Sequence, residues 1–127
     1  MKNLSACLVA GIFTLFLSYP INASDFLDTE FDGGKSLMLE AIEHAKTAKS
    51  HKAHADHILE HAKESLEYVK KAEIAAIEQN NTEGRVHITE SIQQLVETIN
   101  HAKEGHTLIA TEHLTGALQA MRQFVEQ

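Results

Sequence analysis

From Lys35 onward, apolar residues recur every three or four positions. Leu37, Ala41, Ala45 and Ala48 form one stripe, and Ile58, Ala62, Leu66, Val69 and Ala72 a second. Ile88, Ile92, Leu95, Ile99 and Ala102 form a third, and Leu114, Leu118, Met121 and Val125 a fourth. This spacing gathers apolar side chains on one face of a helix, and a narrow stripe is what a helix shows to a bundle core. The pattern therefore predicts four helices. Asn80-Asn81-Thr82-Glu83-Gly84 breaks it, with Thr82 as the expected cap, and Gly105 breaks it again as a glycine just past a helix end. Nothing between Lys35 and Gln79 is Gly or Pro. One helix over that stretch would be about 65 Å long and would leave its stripe uncovered, so a turn is expected near Lys52-Ala53-His54.

An internal repeat supports that turn. Ala53-His54 and Gly105-His106 open similar segments, in which His54 and Glu60-His61 match His106 and Glu112-His113, and Leu66 matches Leu118. The chain reads as two helical hairpins in tandem. Short connections favour antiparallel neighbours, so the expected fold is all-α, an antiparallel up-down-up-down four-helix bundle over residues 35–127.

The segment before the bundle has a different character. Residues 1–23 read as a cleavable secretory signal peptide: Lys2 gives the positive start, Leu4 to Leu17 the apolar stretch, and Tyr19-Pro20 the break before a small residue at Ala23. The apolar run is short for a membrane span. Cleavage there would remove Cys7, the one cysteine, leaving no disulfide, thiolate ligand or thiol nucleophile. Residues 24–34, with Phe26, Leu27 and Phe31 and closed by Gly33-Gly34, read as a flexible acidic arm.

Charge narrows the partners. Eighteen acidic residues face eleven basic ones, a formal charge of −7, and losing Lys2 with the leader makes the exported chain more acidic still. No basic footprint exists for nucleic acid, and anionic membrane surfaces are disfavoured after cleavage. An acidic surface suits cations.

The unusual residue is histidine, with nine in the chain. In the expected topology the turns near 52–54 and 104–106 lie at one end. His44 and His51 close the first helix; His54, His57 and His61 open the second; His101 closes the third; His106 and His113 open the fourth. Only His87 falls in the other half. His54, His57 and His61 are spaced to share a face, with Glu40, Glu43, Asp56, Glu60, Glu104 and Glu112 as nearby carboxylates. Imidazole and carboxylate without thiolate suit Cu(II), Ni(II) or Zn(II). Neutral imidazole is the ligand, so binding should weaken as pH falls through about 6.5. Histidines at helix C-termini complement the dipole, but His54, His57, His106 and His113 stand at helix starts, where a protonated ring is unfavourable. Helix stability does not explain them there.

Several chemistries are excluded by pattern. There is no His-Glu-x-x-His, no Glu-x-x-His of the di-iron bundles, no Cys-x-x-Cys-His for haem and no Gly-rich phosphate loop. Met38 and Met121 lie at core spacing. No enzyme is expected.

Leu59-Glu60-His61-Ala62-Lys63-Glu64-Ser65-Leu66, with Ile42-Glu43-His44-Ala45-Lys46, His101-Ala102-Lys103-Glu104-Gly105-His106 and Thr111-Glu112-His113, resembles the small metal-binding proteins of bacteria. These are periplasmic, His-rich helical bundles built on a loose heptad in which His is followed by Ala or Gly. The resemblance implies binding of divalent metals, copper prominent, with His44, His51, His54, His61, His101, His106 and His113 on the family pattern and His57 beside it. Tyr68 stands where the heptad would place another His. The alternatives are a non-catalytic, pH-responsive structural bundle and an adaptor that docks a protein through the arm.

Overall fold

The computed structural model describes residues 32–127; the expected leader and most of the expected arm lie outside that range. Four helices follow in order: α1 (Lys35–Ser50), α2 (Ala55–Glu78), α3 (Thr82–Lys103) and α4 (Thr107–Val125). Each packs on the next along the chain and α4 closes back on α1, while α2 and α4 face each other across the bundle with little contact. The result is a four-helix bundle. None of the described helices is long and apolar enough to cross a membrane.

Contacts within each hairpin run in opposite chain order. Gly34 lies beside Ala72, Ala41 beside Ser65 and His51 beside His57. Gly84 lies beside Phe124, Gln94 beside His113 and His101 beside His106. The turns near 51–54 and 104–106 therefore head the same hairpins that the repeat defined.

The stripes are the core. Ala41, Ala45, Ala48, Ile58, Ala62, Val69, Ala72, Ile88, Leu95, Ile99, Ala102, Leu114, Leu118 and Met121 are buried, while Leu37, Leu66, Ile92 and Val125 are half-buried at its margin. Met38, Ile42 and Phe124 join it, and Phe124 is the largest fully buried side chain among the described residues. The core divides unequally. One large cluster runs from Met38 to Phe124, and a small one of Ile58, Ala102 and Ala110 holds the hairpins together near the 51–54 and 104–106 turns.

The helix ends show how the turns are written. After α3, the N–H groups of Gly105 and His106 bond to the carbonyls of Ala102 and His101 at 3.1 and 2.8 Å, with Gly105 at φ +77°. This is the Schellman arrangement, in which glycine takes the left-handed position at no steric cost. Asn80, at φ 55°, does the same after α2. The cap of α3 is Asn81, whose side chain accepts from Gly84 N at 2.8 Å, so the expected Thr82 cap is displaced by one residue. Thr82 instead begins the helix. At α1, Asp32 accepts from the N–H groups of Gly34 and Ser36, at 3.0 and 2.7 Å, and from the Ser36 hydroxyl. Gly34 is forced there: φ is +89°, and a Cβ would stand 2.9 Å from the Ala72 carbonyl oxygen. Asp32→Ala is expected to cost about 1 kcal/mol, as loss of a helix cap does, measured as a lower urea midpoint with unchanged slope.

Candidate metal centre

The close approach of α1 and α2 sets up the first group of histidines. Alanines line the face of α1 toward the core, and buried Ser65 of α2 donates its hydroxyl to the Ala41 carbonyl at 2.8 Å. Small residues at the seam bring the flanking polar positions of both helices together. Ring contacts then run without a break from His54 to His57, His51, His61 and His44, ending on Tyr68. Centroid separations along this run lie between 4.8 and 6.1 Å. In the second hairpin His101 lies 5.9 Å from His106 and 5.4 Å from His113, stacked on the latter at 4°.

Two places gather ligand atoms more tightly. In the first hairpin, the Nδ1 atoms of His44 and His61 both stand 2.9 Å from one oxygen, Glu64 Oε2. In the second, His106 Nδ1 is 3.1 Å and His101 Nδ1 3.8 Å from Glu104 Oε2. Within each group all three ligand atoms lie within 4.8 Å of one another. Neighbouring ligands of an ion with bonds of about 2.0–2.1 Å stand roughly 3 Å apart; the 2.9 and 3.1 Å pairs already have that spacing, and the 3.8 Å His101–Glu104 pair would close on an ion. His101 Nδ1 is enclosed and has no hydrogen-bond partner among the described residues. A buried ring nitrogen without a partner calls for an explanation, and a ligand role supplies one.

The other histidines differ in their surroundings. His51 and His57 bring their Nδ1 atoms to 3.5 Å. His113 donates from Nδ1 to Gln94 Oε1 at 2.9 Å. His54 and His106 occupy the N-cap positions of α2 and α4, and neither side chain bonds back to its helix. Neither imidazole caps its helix, at positions where Ser or Asp would stabilise the helix by about 1 kcal/mol; that of His106 turns to Glu104 instead. His87 lies apart from both groups, near the start of α3, with an enclosed Nδ1 that has no hydrogen-bond partner among the described residues.

Glu64 is absent from the carboxylates that the sequence pattern suggested; of those, Glu104 enters a group, while Glu43 pairs with Lys46 at 2.6 Å. The signal was present in reversed form. His61-x-x-Glu64 and His101-x-x-Glu104 place a carboxylate one turn after an imidazole on the same face, the reverse of the Glu-x-x-His order of the di-iron bundles. The third ligand of each group comes from across a turn, and pattern within one helix cannot reveal it.

A family model described as small metal-binding protein matches residues 1–124. No curated protein matches the chain. The family match covers nearly the whole sequence, both hairpins and both His/Glu groups included, so the chain belongs to the small metal-binding protein family.

Proposed function

We propose that this protein binds and buffers divalent transition metal ions in the periplasm, Cu(II) foremost and Ni(II) or Zn(II) after it. The observation that carries this reading is the pair of His/His/Glu groups, each with three ligand atoms within 4.8 Å. Membership of the family supports metal as the cargo. Export rests on the leader-like pattern of residues 1–23. Two imidazoles and one carboxylate leave coordination positions for water or for a neighbouring imidazole such as His51 or His57, which suits an exchangeable ion rather than a closed structural site. The role is binding without catalysis.

Calorimetric titration of Cu(II) and Zn(II) into the chain lacking residues 1–23 tests this. Binding in the micromolar range or tighter is expected at pH 7.5 and its loss at pH 5.5, because protons compete for imidazole. No saturable binding at either pH would overturn the reading and leave the pH-responsive interaction bundle.

A further inference from the structure

We propose that the two hairpins handle metal differently: His44, His61 and Glu64 retain an ion and lock the first hairpin, while His101, Glu104 and His106 exchange one without gripping the fold. This inference rests on the metal-binding reading above.

The first argument is chain separation. His44 is on α1, and His61 and Glu64 are on α2, so the group exists only when the two helices are docked. An ion that binds the native state and not the unfolded chain stabilises the native state by mass action. His101, Glu104 and His106 are close in sequence, running from the last turn of α3 to the N-cap of α4. An unfolded chain can still gather them, and binding to the unfolded state cancels stabilisation.

Exposure points the same way. The side chains of His44, His61 and Glu64 are 28%, 26% and 43% exposed; in the turn group His101 is likewise 26% exposed, but Glu104 and His106 rise to 61% and 54%. Solvent thus reaches two of the three turn ligands, Glu104 and His106, more freely, which favours release and transfer to other ligands.

The repeat explains why the second hairpin has no counterpart of the first group. His113 is the repeat partner of His61 and stacks across the helices on His101, as His61 stacks on His44. Three residues after His61 stands Glu64; three residues after His113 stands Gly116. The Nδ1 of His113 is engaged instead by the neutral amide of Gln94. The second hairpin thus keeps two cross-helix imidazoles and lacks the carboxylate that would complete a chelate. A Cβ at Gly116 would meet the Gln94 side chain at 3.2 Å, and that flexible group can move.

Thermal unfolding of the full chain with and without Zn(II), followed by circular dichroism, tests the inference alongside calorimetry. At free Zn(II) about a hundredfold above Kd, the wild-type midpoint should rise on the order of 10 °C. Glu104→Gln should keep most of that rise. Glu64→Gln should lose most of it while saturable binding at the turn persists. Gly116→Glu should enlarge it. Amide exchange gives a second reading that no variant's stability affects: zinc should slow exchange along α1 and α2 of the wild type and spare α4. Equal loss of the rise in Glu64→Gln and Glu104→Gln, or protection spread evenly over both hairpins, would overturn the inference while leaving metal binding intact. Absence of any zinc binding to the wild type would overturn both.

Discussion

His61→Gln is expected to weaken metal binding at the first hairpin by at least about a hundredfold, beyond the 10–100-fold typical of groups that only support a ligand. His61 occupies the centre of that hairpin's chemistry. Its Nδ1 stands 2.9 Å from Glu64, and its ring packs between those of His44 and His51 at 6.1 and 5.8 Å. Removing the imidazole therefore takes one ligand atom away and cuts the run of rings in two. Glutamine is similar in length, uncharged and compatible with helix, so far-UV circular dichroism should be unchanged. Competition for Cu(II) against a chelator of known affinity reads the effect. His87→Gln, remote from both groups, should leave affinity as it was. Equal affinity of His61→Gln and the wild type would show that the ion is held elsewhere.

The second large effect concerns stability. Phe124→Ala should cost about 3–5 kcal/mol, the range for a buried aromatic removed from a packed core, out of a total near 5–15 kcal/mol for a domain of this kind. Phe124 is 1% exposed and lies against Gly84, where an added Cβ would come within 2.8 Å of its ring. Gly84 and Asn81 begin α3 there, so the cavity would loosen that helix start as well. Urea unfolding measures the loss. Phe124 packs beside Gly84 at the start of α3, at the far end of the hairpins from the 51–54 and 104–106 turns, and no ligand residue stands in that contact, so metal affinity of the folded variant should change little. A cost under about 1 kcal/mol would mean that the surrounding helices collapse into the space, contrary to the relaxation expected of a close-packed interior.

Much of this architecture was written in local pattern. The helices, the break at Gly105, the turn after Ser50 and the stripes of α1 to α4 all follow from spacing at three and four residues, because a helix must bury one face. Phe124 was missed although it stands three residues after Met121, as regular a continuation as Val125 at four; it is buried, and Val125 lies half-buried at the core's margin. Thr82 gave way to Asn81: Asn80 takes the left-handed conformation that ends α2, and the Asn81 side chain directly after it accepts from Gly84 N. At the metal centre, the gathering of imidazoles toward one set of turns was legible from topology. Which rings face each other was not, since that depends on how each helix rotates about its axis. The pairing of His44 with His61 and Glu64 is set by the Ala41–Ser65 seam, a contact between helices that no single-helix pattern encodes.

The N-caps of α2 and α4 carry a kinetic consequence. His54 and His106 make no side-chain bond to the first turns that they head, so no side-chain cap secures those turns. Backbone ends held this way open locally at low free-energy cost, far more often than the molecule unfolds. The ligands flanking these turns thus sit at helix ends, where local opening costs less than opening of the core. An arriving ion can be received by a rearrangement of one helical turn, on the fast timescale of end fraying, rather than waiting for the bundle to part. Departure is governed by the same small motion, so residence time at this end can be adjusted by a single capping residue: His106→Asp should quiet the fraying of α4 even as it removes a ligand.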